Sequence, residues 1–255
     1  MTARAARILS SLVAVGLTAA CTSYYEIPIE TPIRPKLDVS AFQRVLVAGF
    51  ISGGTEDVDG NLETTRLLRS QLRTKSEMRV IDTDVLPLMD VAAEGQGTEK
   101  AIETTPAGVP APIKDDKDLE PYEHLFADVA YWKKVGEEYQ QPLIVTGTVM
   151  FAPQQRAGIV QRDQEVYDSL GRRRVVPVRT YMERKGFVLK PRFIFIDGRT
   201  GAVLHSENFR EEILYNANQT TPALSSYFEL MDRLIPSFLS TLSSQKIKGT
   251  RVLLQ

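Results

Sequence analysis

Residues 44–51, RVLVAGFI, form a nearly continuous apolar run, the pattern of a strand buried on both faces. A polar loop from Ser52 to Gly60 follows, with Asp59 and Asn61 as candidate N-caps. Leu62, Thr65, Leu68 and Leu72 then recur at helical spacing as far as Lys75. Met78 to Ile81 reads as a second, short strand. Strand, helix, strand in this order is the signature of a right-handed crossover between parallel strands. The expected fold class is therefore α/β (α+β), a single mixed β-sheet packed by helices.

Downstream, residues 92–121 change texture. The stretch is rich in Gly, Pro, Thr and charge with little to bury, and it reads as a mobile insertion within the domain. A helix is expected from about Tyr122, with Leu125, Val129, Trp132, Val135 and Tyr139 on one stripe, and Trp132 in the core. Leu143 to Phe151 (LIVTGTVMF) is another buried strand with Gly147 in its middle. Two polar arms, 157–167 and 174–184, are joined by Asp168-Ser169-Leu170-Gly171 and read as an extended hairpin. A second antiparallel pair follows, Gly186 to Ile196 and Ala202 to Leu214, around a turn at 197–201. Leu224, Phe228, Met231, Ile235, Phe238 and Leu242 make a long helical stripe, with a kink or split expected at Pro236. Thr250 to Leu254 is available as a closing strand.

Upstream, Arg4 and Arg7 precede an apolar run from Ile8 to Leu17 and the small residues Thr18-Ala19-Ala20, the layout of a cleavable export signal. The run is shorter than the roughly 20 residues a spanning helix needs. Cys21, the only cysteine of the chain, stands at the cut. The stretch Leu17 to Cys21 resembles the lipobox of bacterial lipoproteins, with Thr18 where Leu is usual. That resemblance implies that residues 1–20 are removed and that Cys21 becomes the lipid-modified first residue. Several acyl chains, each contributing about 0.8 kcal/mol per buried CH₂, then anchor the protein. Thr22 rather than Asp after the cysteine implies the outer membrane, with the domain in the periplasm. Residues 21–42 carry the anchor and then Pro28, Pro32 and Pro35, and read as a semi-rigid tether reaching on the order of 65 Å at about 3.1 Å per residue. Tyr24 and Tyr25 suit either lipid headgroups or the surface of the domain. The domain proper is expected over 43–255.

The matching texts RVLVAGF (44–50), TTRLLRSQLRTKSEMRVID (64–82), PLIVTGTV (142–149) and FIFIDGRTGAVLHSE (193–207) resemble the periplasmic domain shared by curli-secretion (CsgG) lipoproteins and the TolB N-terminal domain, with penicillin-binding-protein activator lipoproteins as further relatives. These are core strands and turns, so the resemblance implies a fold more than a role. The chain departs from that pattern in the 92–121 insertion. It departs again at Gln141-Pro142, where a small residue followed by Asp is usual.

Composition is that of an ordinary globular protein, 43% hydrophobic and 25% charged. The formal charge is −1, and −3 once Arg4 and Arg7 leave with the signal, which gives no electrostatic case for nucleic acid. Gly53-Gly54 lies between a strand and a helix start, where amides can cradle a phosphate, but no Gly-Lys-Ser/Thr follows. Asp57, Asp59, Asn61 and Glu63 alternate as calcium ligands do, yet Leu62 and Leu68 stand where an EF-hand needs Gly and Glu. With His124 and His205 the only histidines and no Gly-x-Ser-x-Gly elbow, no catalytic, metal or cofactor residue is assigned, and a hydrolase ranks last.

The expected role is non-enzymatic: a lipid-anchored module that binds envelope proteins in assembly or secretion. Self-association stays open, and an oligomeric export channel is the runner-up. The candidate partner surface is Arg172, Arg173 and Arg174 at the hairpin tip with Val176, Val178 and Met182 on its second arm, and the 92–121 insertion is a second exposed element. In the first arm neither face is apolar by itself, which argues against a lipid-spanning strand.

Overall fold

The computed structural model describes residues 24–94, 112–216, 219 and 221–254. The export signal, Cys21 and residues 95–111 of the insertion lie outside the described residues. The chain divides into two compact units, one of Lys36–Ser243 and one made of its two ends, up to Pro35 and from Ser244 onward.

The larger unit is a mixed sheet between two helical layers. Its strands are β2 (Arg44–Gly54), β3 (Arg79–Val80), β4 (Leu143–Tyr167), β5 (Arg173–Asp197), β6 (Val203–Asn208) and β7 (Glu211–Asn216), in the order β3-β2-β4-β5-β6, with β7 also on β5. β2 runs parallel to β3 and to β4, while the later pairs are antiparallel. The apolar run 44–51 is buried on both sides. Val45, Val47 and Phe50 pack in a cluster with Leu68 and Leu72 of α1 (Gly60–Lys75) and with Leu230, Ile235 and Phe238 of α5 (Ala223–Leu242). Leu46, Ala48 and Ile51 pack in a second cluster with Leu88 of α2 (Leu88–Glu94), Leu125 of α3 (Glu123–Ala127) and Trp132 of α4 (Val129–Glu138).

Local chemistry sets the helix ends. Asp59 caps α1 by accepting from the Leu62 amide at 3.0 Å. The single helix expected across 122–139 is two, because Asp128 leaves helical geometry and caps α4 by accepting the Tyr131 amide at 3.0 Å. Val129, expected on the buried stripe, is 51% exposed as a result. Pro236 lies inside α5, which runs as one helix. The antiparallel partner expected at Ala202 to Leu214 is two strands, β6 and β7, which meet β5 in succession on either side of Phe209-Arg210. The two ends of the 92–121 insertion are part of the core: Ala92, in the last turn of α2, is buried, and so are Ile113 and Leu119.

In the smaller unit, β1 (Tyr24–Ile33) pairs antiparallel with β8 (Gln245–Leu254) along its whole length. Where the sequence reads as a tether, the structure has a strand, and the closing strand at 250–254 closes on it.

Candidate interaction surface

Each of β4 and β5 is 25 residues long, and their register is unbroken from Leu143↔Asp197 to Tyr167↔Arg173. The inner ends lie in the core. β2 accompanies β4 as far as Phe151, and β7 accompanies β5 out to Arg184. From Ala157↔Glu183 to the turn the two strands continue as a free ribbon about 35 Å long, at about 3.3 Å per residue. Among the described residues neither edge of this ribbon has a strand partner.

The turn is closed from within. Asp168 accepts from the amides of Leu170 and Arg172 and from the Arg172 Nε, each at 2.9 Å, and Gly171 takes φ 72°. The Arg172 amide, followed by the other donors, holds the Asp168 carboxyl below its usual range. Arg173 is paired with Glu165. Arg174 makes no ion pair among the described residues, so of the three tip arginines it alone presents an unengaged guanidinium. Leu170 at the apex is 74% exposed.

Cross-strand partners share a face, so the register assigns the ribbon's two sides. One carries Ile159, Gln161, Asp163, Glu165 and Tyr167 opposite Tyr181, Arg179, Pro177, Val175 and Arg173. The other carries Gly158, Val160, Arg162, Gln164 and Val166 opposite Met182, Thr180, Val178, Val176 and Arg174. The predicted surface residues Val176, Val178 and Met182 thus share one side, and it gains Val160 and Val166 from the first arm. Of the basic residues, Arg174 shares this side, Arg173 belongs to the opposite one, and Arg172 lies in the turn. Neither first-arm face is apolar alone, as read, but the assembled second side is apolar apart from Arg162, Gln164, Arg174 and Thr180.

The other candidate residues have structural work. The amides of Gly54 and Thr55, which a phosphate would need, donate to the carbonyls of Ile113 and Phe151 at 2.8 Å each. Asn61 Oδ1 accepts the Phe50 amide at 2.7 Å, and Asp57 accepts from Thr55 Oγ1 at 3.1 Å. Trp132 is buried and donates its Nε1 to the Leu125 carbonyl at 2.8 Å. His205 stands 3.5 Å from Glu207, which also accepts from Lys36 and Thr241.

One feature escaped the sequence. At the start of β2 and β4, away from the ribbon, a cleft of about 510 Å³ is lined by Arg44, Arg79, Asp82, Glu138, Tyr139 and Gln140. Gln140 and Gln141 both have positive φ, 64° and 56°. The departure at Gln141-Pro142 was the only trace of it, since a left-handed glutamine leaves no compositional mark.

No family model matches the chain, so none supports the resemblance to the curli-secretion and TolB domains, and no curated protein matches its sequence. Among solved structures, the lipoprotein GNA1162 of Neisseria meningitidis is similar at 11% identity and a TM-score of 0.36, over 77% of this chain and 97% of that one. A homologue of the neuraminyllactose-binding hemagglutinin, from Helicobacter pylori, is similar at 10% identity and a TM-score of 0.33, over 82% and 86%. Among the described residues no helix is long and apolar enough to cross a membrane.

Proposed function

We propose that this chain is a non-enzymatic lipoprotein of the outer membrane, held by acyl chains on Cys21, whose periplasmic α/β domain captures an envelope protein with the β4–β5 ribbon. The observation that carries this reading is the ribbon itself. A pair of strands leaves the sheet with both edges open and with Val160, Val166, Val176, Val178 and Met182 gathered on one side. A two-stranded ribbon is marginal in water without a further strand or a packed face, and a partner that supplies one would stabilise it. Open edges accept a partner's backbone, and alternate side chains provide selectivity.

The register shows where to cut. Replacing residues 160–180 by Asn-Gly leaves Ile159 and Tyr181 as the pair flanking a two-residue turn. The shortened protein should keep the melting temperature of its body to within a few degrees and lose its partner in an in-cell crosslinking pull-down. Undiminished capture would move the binding site off the ribbon.

A second reading, a ring of copies whose ribbons close into an export channel, is favoured by the same apolar side, which backs a charged one with strand periodicity. Arg162 opposes it, since a cation at the bilayer midplane costs about 2–4 kcal/mol. Closed rings in negative-stain images of detergent-extracted protein would support it, and monomers would exclude it.

A further inference from the structure

The β1–β8 ribbon is also two-faced. By its register, Ile27, Ile29, Thr31 and Ile33 share a side with Arg251 and Gly249, while Glu26, Pro28, Glu30 and Pro32 share the other with Thr250, Lys248 and Lys246. The ion pairs are on that second side, with Lys246 and Lys248 at 3.2 and 3.8 Å from the Glu30 carboxylate. On the first side Ile27, Ile29 and Ile33 are 41, 41 and 46% exposed. A ribbon of two strands from opposite ends of the chain, with three isoleucines in water, has little to hold it together.

Its place in the chain says what covers it. β1 begins at Tyr24, three residues after Cys21, so even a fully extended link holds the start of the ribbon within about 11 Å of the anchored residue. We propose that the isoleucine side of the β1–β8 ribbon lies on the bilayer into which Cys21 is inserted, flat in the headgroup zone. This rests on the lipid-anchor reading. The ribbon's outer backbone edges are unpaired among the described residues, and open edges do not occur within the hydrocarbon, so the ribbon rests on the membrane and does not span it. Charge fits this orientation. The one charged residue assigned to the isoleucine side is Arg251, opposite Ile27, where a long cationic side chain reaches headgroup phosphates. On the side turned to water the acids Glu26 and Glu30 are matched by Lys246 and Lys248, so that side offers anionic lipid no net attraction. In this arrangement the anchor is a fixed platform, and the C-terminal end of the chain, in register with Tyr24, is held at the same surface.

Acylation consumes the thiol of Cys21, so a cysteine introduced elsewhere is the only free one in the anchored protein. The acylated protein carrying Ile29→Cys or Glu30→Cys, labelled with the environment-sensitive fluorophore NBD and reconstituted in phosphatidylethanolamine–phosphatidylglycerol vesicles, reports the two sides separately. The label at 29 should be several-fold brighter than that at 30, blue-shifted, and quenched by a lipid-borne quencher, and Ile27→Cys should repeat the result. Equal, water-like emission from both positions would overturn the proposal. So would protection at 29 that rises with protein density and ignores the lipid quencher, since that assigns the isoleucines to a second copy. Labelling of Cys21 itself in the unsubstituted protein would instead show that the anchor reading has failed.

Discussion

β4 and β5 are each one strand with two environments, and the contrast between their halves explains the molecule. In the inner half, Leu143, Val145, Val149 and Phe151 pair with Asp197, Phe195, Pro191 and Leu189, and the sheet is covered on both sides by helices. In the outer half the same ladder continues with solvent on both sides, and Ile159, Tyr167 and Tyr181 are 72, 66 and 68% exposed. Backbone pairing is the same along the whole length, so it is side-chain burial that separates the part that holds the fold from the part left free to bind. The β1–β8 ribbon repeats the outer pattern on a smaller scale.

The sharpest way to break this contrast is to change one side chain to alanine in each half. Gly147, opposite Phe193, has φ 141°, and a Cβ there would stand 1.8 Å from the Arg192 carbonyl oxygen. Gly147→Ala therefore combines backbone strain with displacement of the neighbouring strand, and should cost about 4 kcal/mol in denaturant titration. In the outer half, Ile159→Ala removes three carbons where Gly147→Ala adds one, yet should change stability by less than about 0.5 kcal/mol, the usual range for an exposed site. If Ile159→Ala approached the cost of a core truncation, the ribbon would be packed against something in the isolated protein, and the free-ribbon reading would fall.

The two halves also differed in how far they could be read. Burial on both faces leaves a run such as RVLVAGFI or LIVTGTVMF, and helical spacing of Leu62, Leu68 and Leu72 exposed α1 in the same way. The turn at 168–171 was legible because Asp168 and Gly171 supply the cap and the positive φ that such a turn requires. Continuity was not legible: Pro153, Gln154 and Gln155 interrupt the apolar pattern, although the backbone ladder passes straight through them. Nor was the shared side of Val160 and Val176, since which arm residues face each other depends on register and not on either strand's own pattern. β1 was missed for a related reason. Its prolines and acids read as a tether, and its partner β8 lies at the far end of the chain, where local periodicity carries no information about pairing.

The smallest expected effect sharpens the contrast at the ribbon's tip. Asp168 is held below its usual 3.8 by the Arg172 amide first, and by the Leu170 amide and Arg172 guanidinium as well. A carboxyl whose folded value is depressed favours the ordered turn above the ordinary Asp range and loses that contribution as pH falls through the folded value. Acidification below about pH 4 should therefore shift the amide resonances of Leu170 and Arg172 in the protein and leave them unmoved in Asp168→Asn. Because a ribbon without covering layers can open at its tip while the sheet stays closed, the difference in melting temperature between the two proteins should remain flat across the same range. A difference that shrank on acidification would mean that the tip unfolds together with the body. The outer ribbon would then be a cooperative extension of the core and no longer an independent arm.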